Sequence, residues 1–143
     1  ACVYGYVGDL LATSLKAGGV LGLSIDGGVR DVATRTEMEC RVWSKAIFAK
    51  GAVKEPVGNV NVPVMCAVAY IRPGDIIVAD DDGVVVVKQE EADAVDENVK
   101  KRIANEEHKR AILESGTLGL DLYNMRERLA EKGLRYVKQG EED

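Results

Sequence analysis

The sequence predicts an α/β fold, and three observations predict it. Short apolar runs separated by glycine and proline turns fill the first 88 residues. Helix-forming stretches alternate with strand-forming ones at the start of the chain. The last 55 residues change character and become charged, with apolar residues at helical spacing. The chain has 143 residues, 46% of them hydrophobic and 30% charged, which suits one globular domain with a core of its own.

The elements follow in order. Asp9 to Lys16 (DLLATSLK) starts with an acid ahead of a helix-forming apolar run, which predicts a helix ended by Ala17-Gly18-Gly19. Val20 to Ile25 (VLGLSI) predicts a short buried strand, and Asp26-Gly27-Gly28 a turn after it. Val29-Arg30-Asp31 then leads into a short helix. Arg41 to Ala49 alternates as a strand does. A polar loop spans Lys50 to Asn59, and Val60 to Tyr70 holds one or two strands. Arg72-Pro73-Gly74-Asp75 is a turn. Ile76 to Ala79 and Gly83 to Lys88 are strands joined through Asp-Gly, a strong hairpin signal. Glu90 to Glu114 predicts a long amphipathic helix. Ser115-Gly116 breaks it, and Leu118 to Lys132 predicts a second helix capped by Gly133. Leu134 to Val137 is an edge strand or a packed tail, and Gln139 to Asp143 a frayed end.

Composition excludes several functions. The net charge is −5 and the pI about 5.0, so the chain repels phosphate backbones and nucleic acid is not an expected partner. Cys2, Cys40 and Cys66 form no CxxC pair, which fits a reduced, cytoplasmic setting. No apolar run is long enough to span a membrane, and the N-terminus does not read as a secretory leader. The missing initiator Met fits a fragment or a processed chain.

Few residues suit chemistry. Gly5 and Gly8 precede the helix start at Asp9-Leu10-Leu11, where free amides and the helix dipole suit an anion, but on sequence alone the plain N-cap is the favoured reading of Asp9. Arg30 and Asp31 follow a strand end, where ligands collect in α/β folds. Arg30 offers a fork for a carboxylate and Asp31 a hard oxygen for a cation. A surface ion pair is the competing reading, and spacing alone leaves both open. His108, in NEEHKR, reads as solvated, and so do Glu106 and Glu107. Asp80, Asp81 and Asp82 read as a hairpin turn rather than a metal cluster. Lys45, Lys50 and Lys54 are unremarkable candidates for a Schiff-base lysine. No nucleophilic triad, P-loop or dinucleotide fingerprint exists. An oxygen-ligand site with one Arg suits Mg²⁺ or Mn²⁺ rather than Zn²⁺.

The motifs GDLLATSLKAGG, IDGGVRDVATRTEM, VWSKAI, KEPVGNVNVPV, PGDIIVADDDGVVVV and LGLDLYNMRERLAEKGLRYV stand in that order from Tyr6 to Val137. Together they resemble the 4-hydroxy-4-methyl-2-oxoglutarate/4-carboxy-4-hydroxy-2-oxoadipate aldolases of the RraA-like superfamily. The resemblance implies an RraA-like (swivelling β/β/α-type) sandwich core with a C-terminal helical extension. It implies a single domain over 1–143, with 1–88 the strand core and 89–143 helices for subunit contacts. The family pattern is an Asp, twenty residues, then Arg-Asp, and Asp9 with Arg30-Asp31 fits it. By that resemblance Asp31 ligates a divalent metal, Mg²⁺ or Mn²⁺, while Arg30 with Gly8, Asp9, Leu10 and Leu11 holds a pyruvyl group. Asp9 and Glu106, the latter from a neighbouring subunit, reach the metal through water and complete the catalytic set with Arg30. The implied reaction is retro-aldol cleavage of a small oxo-acid, with oxaloacetate decarboxylation beside it, in a homotrimer or homohexamer with sites at subunit interfaces. Related RraA-type proteins are non-enzymatic regulators that bind ribonuclease E, and a dedicated oxaloacetate decarboxylase is a further alternative. Two departures stand out. Thr34 occupies a position that is often acidic in the family, and the family's N-terminal segment is not in this sequence.

Overall fold

The structure is a computed structural model that describes residues 4–53, 55, 57–138 and 140. By its internal contacts the chain divides into two compact units, the boundary falling between Ala92 and Asp93.

The first unit opens with β1 (Gly5–Val7), α1 (Asp9–Ala17), β2 (Leu23–Val29), α2 (Val32–Glu37) and β3 (Val42–Ile47). The three strands form one parallel sheet in the order β1-β2-β3, so each helix is the crossover between neighbouring strands. Helix α1 packs against α2. Two antiparallel hairpins follow: β4 (Val64–Cys66) with β5 (Ala69–Ile71), and β6 (Ile76–Ala79) with β7 (Val84–Val87). Trp43 Nε1 on β3 donates to the Asp80 carbonyl at 2.7 Å and ties the sheet to the second hairpin.

The turn expected at Asp26-Gly27-Gly28 is not a turn. Strand β2 runs straight through it to Val29 and starts three residues later than expected. The glycines answer to close packing. Gly27 and Gly28 are buried, and a Cβ on Gly27 would stand 3.1 Å from the Tyr6 ring. The register also slips there: Ile25 faces Ser44 while Gly28 faces Ala46, so β2 carries an extra residue in a bulge.

Val7, Ala12 and Val29 form the buried hydrophobic core among the described residues, and the charged residue Arg35 on α2 is buried as well. The base of the β6–β7 hairpin is held by Asp75, whose side chain is 1% exposed. Its carboxylate accepts from Lys88 Nζ at 2.7 Å and from the Arg72 amide at 2.9 Å. At the other end, Asp80 Oδ1 accepts the amides of Asp82 and Gly83, so the aspartate run is a turn that satisfies itself.

The first unit ends in a 3-10 turn at Gln89–Glu91 that leads into α3 (Ala92–Glu114), which makes up much of the second unit. This helix departs from the expected amphipathic one, because none of its residues is buried. Val95, Val99 and Ile103 line up at four-residue spacing, but Glu106 and Arg110 continue that line with charge. The second predicted helix is broken into α4 (Gly119–Leu122) and α5 (Arg126–Glu131). Asn124 between them adopts φ 50°, a left-handed conformation that Asn tolerates better than most residues. Arg126 holds the break by forking onto Asp121, one arm at 2.9 Å. Gly133, at φ 93°, ends α5 as expected. Residues 134–137 form no strand. Most of the expected frayed end lies outside the described residues. No helix of the described residues is long and apolar enough to cross a membrane.

Candidate functional site

Asp9 stands at the first residue of α1, and Arg30 and Asp31 stand between the end of β2 and α2. Parallel pairing of β1 with β2 puts these two strand ends side by side, which is how residues 22 apart in sequence meet. The Arg30 amide donates to the Val7 carbonyl at 2.9 Å, locking the two exits together.

Gly8, not Asp9, is the N-cap of α1, and it brings no side chain to the cap. The capping oxygen comes from across the sheet: Asp31 Oδ2 accepts the Asp9 amide at 3.1 Å. The same oxygen accepts Arg30 Nη1 at 3.0 Å. The Leu10 amide turns back to Asp9 Oδ1 at 2.7 Å. The Gly8 and Leu11 amides have no partner among the described residues, so of the expected amide donors these two are still open to a ligand.

Asp31 reaches this position in the left-handed conformation, φ 58° and ψ 43°. Arg30 runs along the space that Gly5 and Gly8 leave. A Cβ on Gly5 would meet its stem at 3.1 Å, and a Cβ on Gly8 would meet its Cζ at 2.8 Å and Asp31 Oδ2 at 2.4 Å. Both glycines therefore clear room for the Arg30–Asp31 pair. Arg30 Nε is buried and donates to nothing within the described chain. A buried, unsatisfied donor beside an open helix amide favours an incoming anionic oxygen.

The donor set fits Mg²⁺ or Mn²⁺. Asp31 Oδ1 and Asp9 Oδ2 are hard oxygens that receive no hydrogen bond within the described chain. No group of three or more His, Cys, Asp or Glu gathers among the described residues. A cation that keeps several waters and substrate oxygens in its shell needs only one or two protein carboxylates, whereas Zn²⁺ prefers a fuller N and S set.

The other sequence candidates have surroundings of their own. Glu106 is on α3 in the second unit, exposed, and paired with Arg102 at 2.7 Å. His108 and Thr34 are exposed. Lys45 pairs with Asp26 at 2.8 Å and its side chain is 60% exposed, which is no setting for a desolvated amine. That hydrogen bond holds the Asp26 carboxyl below its ordinary range. Lys50 lies 4.8 Å over the Tyr4 ring. Lys54 is outside the described residues. A mostly apolar cavity of about 520 Å³, lined by Trp43, Cys66, Ile71 and Val84 with the Asp26–Lys45 pair, contains none of the predicted site residues.

One residue at the site was not anticipated. Arg35 is 4% exposed and donates from Nε to the Arg30 carbonyl at 2.8 Å. Its four-residue spacing from Asp31 points instead to an ordinary ion pair along a helix, so nothing in the sequence marks it.

Known proteins resemble this chain in sequence and in fold. The chain is 29% identical over 122 residues to a Halalkalibacterium halodurans protein named "Putative 4-hydroxy-4-methyl-2-oxoglutarate aldolase", covering 85% of this chain and 58% of that one. A crystal structure of an uncharacterized protein from Pseudomonas syringae pv. tomato superposes with a TM-score of 0.68 at 31% identity, over 85% of this chain and 61% of that one. Streptomyces coelicolor RraAS2, described as an unusual member of the RNase ES inhibitor RraA protein family, gives 0.68 at 30% identity, over 78% and 57%. The chain thus spans about three-fifths of the length of these relatives. The RraA-like family model, described as Aldolase/RraA, matches residues 1–86. With its α/β core and its paired strand exits, the chain belongs to the RraA-like family.

Proposed function

We propose that this protein is a divalent-metal-dependent pyruvate aldolase acting on 4-hydroxy-2-oxo dicarboxylates such as 4-hydroxy-4-methyl-2-oxoglutarate. The observation that carries the reading is the buried, unpartnered Nε of Arg30, whose guanidinium shares Asp31 Oδ2 with the first amide of α1. Aldolase names among the relatives support it.

Retro-aldol cleavage breaks the C3–C4 bond, turns the C4 hydroxyl into a carbonyl and leaves its electron pair in an enolate of pyruvate. Arg30 places a fixed positive charge where that enolate charge develops. The Leu11 amide and the α1 dipole hold the substrate carboxylate. Asp31, with Asp9 beside it, would hold the cation, which supplies Lewis-acid stabilisation of the enolate. Asp9 orients the water that takes up the hydroxyl proton and returns a proton to C3. Glu106 from a neighbouring subunit completes the proton path in this reading, which therefore includes a trimer or hexamer. Oxaloacetate decarboxylation passes through the same enolate and is the expected side activity.

Pyruvate release from 4-hydroxy-4-methyl-2-oxoglutarate, coupled to lactate dehydrogenase, tests the proposal. Turnover should require Mg²⁺ or Mn²⁺ and stop with EDTA, and Arg30→Ala should cost about 3 kcal/mol of transition-state stabilisation or more. Metal-independent turnover, or full activity in Arg30→Ala, would refute it. The likeness to RraAS2 favours a second reading, a non-enzymatic regulator that binds a ribonuclease. Capture of ribonuclease E by a protein with no lyase activity would select that one.

A further inference from the structure

We propose that Arg35 is a positioning residue that sets the conformation of Asp31 and through it the aim of Arg30 and Asp31. The proposal rests on the reading of Asp9, Arg30 and Asp31 as the substrate site. Arg35 ties down two successive carbonyls. Its Nε donates to the Arg30 carbonyl at 2.8 Å, and its amide donates to the Asp31 carbonyl at 3.0 Å. The first bond is the informative one. The peptide plane that carries the Arg30 carbonyl also defines φ of Asp31, so holding that oxygen holds φ at 58°. The preceding plane is fixed independently, because the Phe48 amide donates to the Val29 carbonyl at 2.9 Å. The strands thus fix the approach to the turn, and Arg35 fixes the turn itself.

The residue type supports the assignment. Arg35 is 4% exposed and has no carboxylate within ion-pair distance among the described residues. Burying a cation without an anion is unfavourable, and an apolar side chain would fill the same space at lower cost. Released from the clamp, Asp31 would relax toward negative φ, where an Asp has no strain. Its carboxylate would then leave both the Asp9 amide and Arg30 Nη1.

Arg35→Met and Arg35→Lys test this. The readouts are hydrogen exchange of the Asp9 amide, affinity for Mn²⁺ alone, and melting temperature. Arg35→Met should melt at or above the parent's temperature while its Asp9 amide exchanges at least tenfold faster. Its Mn²⁺ affinity should fall about 10–100-fold, as for loss of a group that orients a metal ligand. Arg35→Lys keeps a donor and should stay within about fivefold of the parent on both counts, on the same scale of effects. A folded Arg35→Met with unchanged exchange and affinity overturns the proposal. If Arg35→Met does not fold, Arg35→Lys decides it, and a folded lysine variant outside that range overturns it. A parent that binds no Mn²⁺, yet loses Asp9 protection in Arg35→Met, keeps the clamp and refutes the site reading instead.

Discussion

Replacing Gly8 by alanine separates the site from the fold. The backbone at Gly8 has φ −114° and ψ −171°, which any residue adopts, so the substitution adds a methyl and no backbone strain. That methyl would lie 2.4 Å from Asp31 Oδ2, 2.8 Å from Arg30 Cζ and 2.9 Å from Arg30 Nη2. Ordinary contact begins near 3.4 Å, so the Asp31 carboxylate must move by about 1 Å, and the Arg30 guanidinium by somewhat less. Both are the ends of flexible side chains at a partly exposed position, so they can move without unfolding the protein. The substrate-binding geometry cannot absorb the same shift. A misplacement of about 1 Å costs on the order of a hundredfold in rate, or about 2.7 kcal/mol. The assay is kcat/KM for pyruvate release, with a melting curve on the same preparation. The expected result is a loss near a hundredfold with the melting temperature almost unchanged. A Gly8→Ala protein that keeps kcat/KM within about threefold would show that Arg30 and Asp31 are not held at a reacting centre, because a displacement of this size is expected to matter there.

Gly5→Ala should give the opposite pattern. Its methyl would meet the Phe48 backbone carbonyl at 2.2 Å, an atom that cannot swing away, so thermal or urea unfolding should show a loss of about 1–3 kcal/mol. Unchanged stability would mean that β1 and the chain after β3 do not pack as described. The β6–β7 hairpin should weaken in acid. The hydrogen bond from Lys88, aided by the Arg72 amide, lowers the Asp75 carboxyl from 3.8 to about 2. A depressed folded-state value stabilises the protein fully above the ordinary carboxylate range, and that stability is lost as the pH falls from 3.8 through about 2. Unfolding measured against pH should show Asp75→Asn lacking that part of the acid dependence, and identical curves would refute it.

What the sequence made legible was mostly local. Asp9 before an apolar run and Gly18-Gly19 after it bracket α1, and Asp-Gly between valine-rich runs marks the β6–β7 hairpin. Each signal acts within a few residues of its effect. The failures share the opposite property. Gly27 and Gly28 carry the composition of a turn, yet they lie in β2, where the Tyr6 ring on the neighbouring strand stands 3.1 Å from where a Cβ on Gly27 would be. The break after α4 depends on Arg126 reaching back to Asp121. The site divides the same way. Asp9 at a helix start and Arg30-Asp31 after a strand could be picked out as candidates, but their convergence comes from parallel pairing of β1 with β2.

Gly5 and Gly8 show most clearly what the sequence leaves undetermined. Read locally, glycines ahead of a helix expose amides to an anion. In the structure the Gly5 amide is already spent on the Lys50 carbonyl at 2.7 Å, and the Asp9 amide on Asp31. What the glycines contribute is absence of bulk, measured against an arginine more than twenty residues away. The two residues thus serve an anion site by a further physical route, making room for the cation that meets the anion. That is why Gly8→Ala, which leaves every backbone donor in place, is the substitution that tells the two routes apart.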